Sequence, residues 1–334
     1  MIIPIKNNES GYDIVLDHGL LNKIEQYLPL NRKVLIVSDD GVPEKYVGAV
    51  ADKCAFPVVC VFPQGEKSKN FDTYRLLISK MISALFTRTD CVVAVGGGVV
   101  GDLAGFVAST YMRGIDFYNV PTTLLSQVDS SIGGKVAVDY DGIKNIIGSF
   151  YPPKKVLIDF DVLNTLDERQ LRSGLAESIK MAMTSDKDLF EIIEKSTDIK
   201  KDFPEIIVRS LNVKKQVVEE DPKEKGLRRV LNFGHTIGHA IESSSLGKYF
   251  HGECVAAGMV PMCSGEAKER LLEVLRKYGY DVDLTFDKKQ AKLFLQHDKK
   301  SVDGEVIAVM VDRIGEFKFL KTKIEDLLNK MENM

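Results

Sequence analysis

The feature that most constrains this fold is the alternation of short valine- and isoleucine-rich runs with stretches of helical periodicity between about residues 33 and 159. Each run is continuous, which is typical of parallel strands covered on both faces and joined by crossover helices. Between them, residues 71–86 place their apolar side chains on one helical face. The predicted strands are residues 34–37, 58–61, 91–95 and 156–158.

Beyond residue 160 the strand signal nearly vanishes and helical patterns dominate. A single late hairpin is predicted, with strands at 305–312 and 316–320. The length of 334 residues suits two domains of ordinary size. We therefore expect an α/β protein, with a Rossmann-like α/β domain over residues 1–160 and a mostly α-helical domain over residues 161–334. The predicted helices of the second domain are residues 166–183, 189–194, 206–218, 237–243, 255–278 and 324–331.

The charge and cysteine content exclude several classes of partner. A net charge of −3 gives no basic field to hold nucleic acid or an anionic membrane surface. The five cysteines are scattered and never spaced Cys-x-x-Cys, so neither a disulfide framework nor a thiolate zinc site is indicated. No signal-peptide pattern and no apolar run of the ~18 residues that span a bilayer is present. We expect a cytoplasmic protein with a small-molecule substrate.

A glycine-rich run, residues 96–102, follows one predicted strand and opens a helical stretch. Glycine lets the backbone approach a phosphate, and the helix N-terminus adds N–H donors. The run fits G-x-G-x-x-G, which alone is a weak signal. It does not lie in the first βα unit, and it lacks the strand-ending acid that follows about 20 residues later in the usual dinucleotide fingerprint. Nucleotide or phosphate binding and a tight strand-to-helix turn both remain open.

Residues 121–135 are dense in hydroxyl groups and glycine around Asp129 and Lys135. With Arg113, Lys144 and Asn145 they could form a pocket rich in donors for sugar hydroxyls and a phosphate. The alternative is a Gly/Ser loop carrying solvated charges.

Three of the five histidines, His235, His239 and His251, fall within 17 residues. His235 and His239 are four apart on a predicted helix and share a face, which suits two ligands of one metal ion. Glu177 and Lys180 lie three apart in an apolar helical stretch, either as a metal ligand with a substrate contact or as a surface ion pair. Four further cations, taken singly, are more often solvated than functional: Lys214, Arg228, Lys299 and Lys300.

Taken in order, these segments resemble the 3-dehydroquinate synthase family of sugar phosphate cyclases from about residue 14 to residue 314. The resemblance rests on Gly65-Glu-Lys-Ser-Lys69, the glycine-rich run, residues 121–135, Leu231-Asn-Phe-Gly-His235 with the residues up to Glu242, His251-Gly-Glu253 and Asp298-Lys-Lys300. It implies an N-terminal domain that holds NAD, a C-terminal domain that holds Zn²⁺ or Co²⁺, and a substrate cleft between them.

The same resemblance implies a role for each matching residue. Glu177, His235 and His251 would bind the metal, which moves His239 to the substrate. Asp129 and Lys180 would contact ring hydroxyls of the sugar-phosphate acid, and the catalytic set would be Asp129, Lys135, Lys180 and His239. Its anion contacts would be Arg113, Lys135, Asn145, Lys214, Arg228, Asn232, His239, Lys299 and Lys300. NAD would bind Asp39, Glu66, Lys69, Gly98, Val99, Val100, Gly101, Asp102, Thr122, Thr123, Lys135, Lys144 and Thr165.

The implied reaction converts 3-deoxy-D-arabino-heptulosonate 7-phosphate to 3-dehydroquinate and phosphate, in the shikimate pathway. Transient oxidation by NAD precedes β-elimination of phosphate, re-reduction and an intramolecular aldol closure. A homodimer is implied, with Arg113 near the neighbouring subunit's site. Another sugar phosphate cyclase and a metal-dependent polyol or glycerol-phosphate dehydrogenase are the alternatives.

Two segments depart from the family's usual sequence. Asp139-Tyr-Asp-Gly-Ile-Lys144 stands where the family usually has Asn, then Pro, and Gly directly before the lysine. Asp167 and Gln170 replace a usual Pro and Glu. We expect the backbone near Lys144 and Thr165 to differ locally from the family's.

Overall fold

The computed structural model describes residues 1–6, 11–224, 226–297 and 305–332. The chain divides into two compact units, Met1–Leu166 and Asp167–Met334. Within the described ranges, no helix is both long enough and apolar enough to cross a membrane.

The first unit is built on a twisted, mostly parallel sheet. Among its described residues seven strands pair in the order β1-β2-β9-β6-β5-β3-β4, and only the β1–β2 pairing is antiparallel. Strands β7 and β8 form a separate antiparallel hairpin. The strands are β1 Ile2–Ile5, β2 Tyr12–Asp17, β3 Lys33–Asp39, β4 Phe56–Phe62, β5 Cys91–Gly96, β6 Asp116–Pro121, β7 Lys135–Tyr140, β8 Ile143–Phe150 and β9 Lys155–Asp159.

The four valine- and isoleucine-rich runs are confirmed as β3, β4, β5 and β9. We expected both faces of each strand to be covered, and this is wrong for β4. Strand β4 lies at the sheet edge, and on one of its faces Val59 is 40% exposed and Val61 is 49% exposed. Its other face packs Cys60 and Phe62 into the core.

Helices cover both faces of the sheet. They are α1 Glu44–Ala51, α2 Phe71–Ser83 and α3 Gly98–Thr110. Apolar side chains of α2 and α3 pack on one face, against Leu35, Val37 and Val92, whereas α1 packs on the other with Val34 and Ile36. The chain leaves β3 toward β4 and leaves β5 toward β6, so the neighbours β3 and β5 form a topological switch point. In parallel sheets, ligands bind outside the carboxyl ends of such strands.

The second unit is mostly helical, as expected. Its helices are α4 Glu168–Ser185, α5 Lys187–Lys195, α6 Ile199–Glu220, α7 His235–Ser244, α8 His251–Met259, α9 Gly265–Lys277, α10 Lys288–His297 and α11 Ile324–Glu332. The predicted late hairpin is confirmed as β10 Glu305–Met310 paired with β11 Lys318–Lys323. The helical pattern predicted over residues 255–278 is two helices, because a short 3-10 turn with Pro261 separates α8 from α9.

Candidate cofactor and metal sites

The glycine-rich run forms the turn from β5 into α3. Strand β5 is one of the two strands at the switch point. Gly97 precedes the helix in an extended conformation, and in the described part of the chain no side chain caps its amide end. A Cβ at Gly98 would lie 3.1 Å from Ser130 Oγ, so a larger residue would crowd this turn. The uncapped N–H groups and the close approach that glycine allows suit a phosphate.

A cluster of charges surrounds Lys69, whose side chain is only 5% exposed. Its Nζ lies 2.6 Å from Glu66 Oε1, 3.4 Å from Asp102 Oδ2 and 3.8 Å from Asp139 Oδ1. Burial raises the pKa of Asp102 to about 7, although the Lys69 ammonium opposes the rise. Burial alone would lower the pKa of Lys69, but Asp102 and Glu66 outweigh it and raise that pKa. The cluster holds a localised cation beside carboxylates that can accept hydrogen bonds from hydroxyl groups.

Other predicted cofactor residues lie at the carboxyl ends of the strands. Asp39 ends β3 and its Oδ1 accepts a hydrogen bond from Gly41 N, while burial raises the pKa of its carboxyl group. Thr122 is buried and its N–H donates to Gly96 O. Thr123 Oγ1 accepts from Ser126 N. Thr165 ends a 3-10 segment, where its hydroxyl lies 3.0 Å from the Tyr46 hydroxyl.

The hydroxyl-rich segment that follows β6 is not a solvated Gly/Ser loop. Residues 126–130 form a short π-helical turn that carries Asp129. Ser126, Gln127 and Ser131 are almost completely buried. Gln127 Nε2 donates to the carbonyl oxygens of Pro121 and Asp159, which fixes the turn against the end of the sheet.

The predicted anion-binding residues of the first unit lie on exposed and strained backbone. Arg113 has a φ of 71°, directly after Met112 with a φ of 49°. Asn145, near the start of β8, has a φ of 53°. Such left-handed conformations are costly for residues other than glycine and cluster at functional sites. Lys135 and Lys144, at the starts of β7 and β8, are exposed.

In the second unit, three histidines converge. His235 begins α7, His239 follows one turn later and His251 begins α8. One ring nitrogen from each lies within 4.8 Å of the others, a geometry that could hold a metal ion. The ring centroids of His235 and His251 are 5.2 Å apart.

Glu177 on α4 is completely buried against the same histidines. Its Oε1 lies 3.6 Å from His235 Nε2 and 3.3 Å from His251 Nε2, and its Oε2 contacts Lys180 Nζ. The interpretation of Glu177 and Lys180 as a surface ion pair is therefore wrong, because both side chains are at most 1% exposed. Burial would raise the pKa of Glu177, but Lys180 and His251 hold it below its ordinary value, which keeps the carboxylate ionised.

Hydrogen bonds orient both histidines that face Glu177. His235 Nδ1 lies 3.2 Å from Phe233 O, and His251 Nδ1 lies 2.9 Å from Glu242 Oε2. An imidazole that donates through Nδ1 keeps the lone pair of Nε2 for a metal ion. Burial also lowers the pKa of His235 well below its usual value, which favours the neutral ring that a metal needs. The Glu177 and Glu242 carboxylates outweigh burial and raise the pKa of His251 to about 10, so a metal ion binds this ring by displacing its Nε2 proton. With that proton displaced, one carboxylate and two imidazoles fit a catalytic Zn²⁺ or Co²⁺ ion and leave further coordination positions.

Close packing of α8 on α4 brings His251 to Glu177. Gly252 donates its N–H to Ser173 Oγ, and a Cβ at Gly252 would lie 2.6 Å from Ser173 Cα. Arg169 makes two hydrogen bonds of 2.8 Å to Glu253, whose Oε2 also accepts from Phe250 N at the start of α8. The end of α8 that carries His251 is thus fixed from two sides.

Two of the predicted anion-binding cations are buried, so the interpretation of Lys214 and Arg228 as solvated charges is wrong: their residues are 4% and 3% exposed. Arg228 Nη1 donates to Pro222 O, and Asn232 Nδ2 donates to Glu224 Oε1. Lys299 and Lys300 lie outside the described residues.

Sequence reasoning assigned no role to Glu242 or to Asp139. A signal for Glu242 was present, because His235, His239 and Glu242 follow the i, i+4, i+7 spacing of one helix face. For Asp139 the only signal in the sequence was its departure from the family's usual residue. Its contact with Lys69 joins segments 70 residues apart, which local sequence patterns do not reveal.

Comparison with known proteins gives the class first. The fold matches 2-deoxy-scyllo-inosose synthase complexed with carbaglucose-6-phosphate, NAD⁺ and Co²⁺ at a TM-score of 0.91, with 28% identity over 99% of this chain and 98% of that one. It also matches 2-epi-5-epi-valiolone synthase from Streptomyces hygroscopicus with NAD⁺ and Zn²⁺ bound at a TM-score of 0.88, with 27% identity over 98% and 99%. The fold is that of the sugar phosphate cyclases.

Sequence comparisons narrow the class to a family. Two family models match, 3-dehydroquinate synthase N-terminal over residues 59–173 and 3-dehydroquinate synthase C-terminal over residues 174–301. The 3-dehydroquinate synthase of Desulforamulus reducens is 40% identical, over 98% of both chains. This chain belongs to the 3-dehydroquinate synthase family, as the resemblance predicted.

Proposed function

We propose that this chain converts 3-deoxy-D-arabino-heptulosonate 7-phosphate to 3-dehydroquinate and phosphate, as a step of the shikimate pathway. The observation that carries the proposal is the fully buried Glu177 held between His235, His251 and Lys180 in a member of this family. Burying an ionised carboxylate is costly, and Lys180 and His251 offset that cost by pairing with Glu177, which leaves an ionised oxygen facing two imidazoles as a metal ligand requires.

We assign a divalent metal ion, Zn²⁺ or Co²⁺, to Glu177, His235 and His251. A relative of the same fold binds Co²⁺ and another binds Zn²⁺, which supports the assignment. When bound, such an ion acts as a Lewis acid that polarises a substrate oxygen. Lys180 keeps Glu177 ionised and Glu242 orients His251, so these two residues prepare the ligands.

We assign NAD to the first unit, Met1–Leu166. The two solved structures named above hold NAD⁺, and the uncapped end of α3 and the Lys69 cluster suit its phosphates and hydroxyl groups. NAD supplies a reversible hydride acceptor, so no net oxidation results. The assigned residues are Asp39, Glu66, Lys69, Gly98, Val99, Val100, Gly101, Asp102, Thr122, Thr123, Lys135, Lys144 and Thr165.

Substrate recognition is assigned to polar residues of both units. The buried cations Lys214 and Arg228 suit a carboxylate, which the heptulosonate has and glucose 6-phosphate lacks. Asp129 and Lys180 are assigned to ring hydroxyls and His239 to the substrate. The remaining assigned anion contacts are Arg113, Lys135, Asn145, Asn232, Lys299 and Lys300. The departing phosphate can accept the proton lost next to the new ketone, so no separate protein base is required.

We further propose a cytoplasmic homodimer in which Arg113 lies near the neighbouring subunit's site. Within the described residues, no disulfide joins the cysteines at positions 54, 60, 91, 254 and 263, which suits a reducing compartment.

Phosphate release from the heptulosonate phosphate, with catalytic NAD and Zn²⁺ and with absorbance followed for NADH, tests the proposal. We expect stoichiometric phosphate, no accumulation of NADH, and 3-dehydroquinate as the product. Steady NADH production with phosphate still attached would indicate a dehydrogenase. Release from glucose 6-phosphate or sedoheptulose 7-phosphate, with none from the heptulosonate, would indicate another cyclase.

A further inference from the structure

Asp139 lies at an irregularity of the β7–β8 hairpin. The pairing register shifts between Val138 and Tyr140, so Asp139 lies where the regular pairing of β7 with β8 is interrupted. Its carboxylate is only 18% exposed, and its Oδ1 lies 3.8 Å from Lys69 Nζ.

Three interactions connect Asp139 to two separate segments. Its backbone N–H donates to Lys69 O at 2.8 Å, and its Oδ1 lies 3.8 Å from Lys69 Nζ. The same Oδ1 accepts a hydrogen bond from Asn145 N at 2.8 Å. One residue therefore joins the turn that carries Glu66 and Lys69 to the strand that carries Lys144 and Asn145.

The hydrogen bond to Asn145 bears on a strained residue. Asn145 has a φ of 53°, a conformation that asparagine tolerates better than most residues but that still needs support. The Asp139 carboxylate supplies that support by accepting the Asn145 N–H. Nearby, the ring of Tyr140 packs edge-on against Phe71 with centroids 5.8 Å apart, a second and apolar link between the hairpin and the start of α2.

We propose that Asp139 is a positioning residue that fixes the Glu66–Lys69 turn and Asn145 relative to each other, so that NAD binding and substrate binding depend on the same side chain. The proposal rests on the assignment of Glu66 and Lys69 to NAD and of Asn145 to the substrate. Because Asp139 orders both segments before the ligands bind, the entropy cost of ordering them does not reduce the affinity for NAD or substrate.

The test compares three variants of the full-length, metal-loaded protein: Asp139→Ala, Asp139→Asn and, as a control, Asp141→Asn. Asp141 lies at the exposed tip of the same hairpin with a φ of 50°, which asparagine also tolerates. The NAD dissociation constant is measured directly by calorimetry, and KM and kcat are measured for the heptulosonate phosphate. Metal content and Tm are recorded for each variant.

For Asp139→Ala we expect both KM and the NAD dissociation constant to rise roughly 10- to 100-fold, because Asn145 N–H loses a charge-assisted acceptor and Lys69 Nζ loses a carboxylate 3.8 Å away. Asp139→Asn keeps an oxygen acceptor for Asn145 N but loses the charge beside Lys69. It should therefore restore KM to within about twofold of the wild type while NAD binding stays weakened. Asp141→Asn should match the wild type in both.

The proposal would be overturned if the NAD dissociation constant or KM of Asp139→Ala stayed within about twofold of the wild type. NAD binding and substrate binding would then not both depend on this residue. Asp139→Asn with the full KM defect would overturn it as well, and this variant decides if Asp139→Ala fails to fold. Failure of the proposed function is a different result: the wild-type protein would then not bind NAD, or would not release phosphate.

Discussion

Glu242 offers a sharp test of the metal site because its carboxylate contacts His251 Nδ1, the ring nitrogen on the side away from Glu177. Replacing Glu242 by alanine removes the acceptor 2.9 Å from His251 Nδ1 and leaves Glu177, His235 and His251 in place. The ring of His251 then loses the partner that selects its orientation and its tautomer. Metal affinity should fall, whereas the helix that carries Glu242 should remain folded.

The magnitude follows from the geometry. The Glu242 side chain is 17% exposed, so the hydrogen bond is partly shielded and charge-assisted, worth about 1.5–3 kcal/mol. Each 1.4 kcal/mol is about tenfold in affinity. We therefore expect the Zn²⁺ dissociation constant to rise roughly 10- to 100-fold, the range usual for loss of a partner of a metal-bound histidine. Glu242→Gln retains an acceptor oxygen and should lose less.

The assay is a competition between metal-free protein and a chromophoric chelator of known Zn²⁺ affinity, with no substrate or NAD present. Glu266→Ala is the matched control, because it removes one carboxylate of the same unit at an 82% exposed position. Wild-type Zn²⁺ affinity in Glu242→Ala would refute the reasoning, since the orientation of His251 would then not depend on this contact. If Glu266→Ala lowered the Zn²⁺ affinity by the same factor, the effect would come from the change in net charge and not from the contact with His251.

Four further outcomes are expected. His235→Ala should lose bound zinc and turnover but stay folded, whereas His239→Ala should keep stoichiometric zinc and lose turnover; elemental analysis of the two separates a Glu177–His235–His251 site from a three-histidine site. Gly252→Ala should lower Tm and zinc affinity together, because the new Cβ meets the Ser173 backbone. Arg113→Gly should raise KM for the phosphorylated substrate while raising stability by about 1 kcal/mol, because a φ of 71° suits glycine; an unchanged KM would place the guanidinium elsewhere. The folded pKa of Asp102, about 7, lies above its ordinary value of 3.8, so this carboxyl makes unfolding easier as pH rises from about 4 to 7. Asp102→Asn should therefore gain on the order of 1–3 kcal/mol relative to the wild type between pH 5 and pH 8, in melts without NAD; parallel pH profiles would contradict the shift.

The sequence predicted β3, β4, β5 and β9, because each is a continuous run of apolar, mostly β-branched residues. Strand β6 was missed because its Asp116-Phe-Tyr-Asn119 start mixes polar and apolar residues, and Asn119 is nevertheless buried. Strands β1 and β2 and the β7–β8 hairpin were also missed. Their runs are short or interrupted by charge, and only their pairing partners make them strands.

The candidate site was predicted unevenly for the same kind of reason. The histidine spacing pointed to a metal from local sequence alone, because two of the three rings share a helix. Whether Glu177 and Lys180 face solvent or the interior could not be decided locally, since the i, i+3 spacing is the same in both cases. Burial of Lys214 and Arg228, like the contact of Asp139 with Lys69, depends on segments that are distant in the chain.

The position of β9 in the sheet has a consequence for the order in which the first unit can be assembled during synthesis. β9, residues 155–159, lies between β2 and β6 and pairs with both. Until the ribosome has released those residues, β2 and its partner β1 have no place in the sheet, and β6 presents an open edge. A nascent chain stopped before residue 155 would therefore expose unpaired strands that favour aggregation, whereas one extended past Leu166 could close the whole sheet before the helices of the second unit emerge.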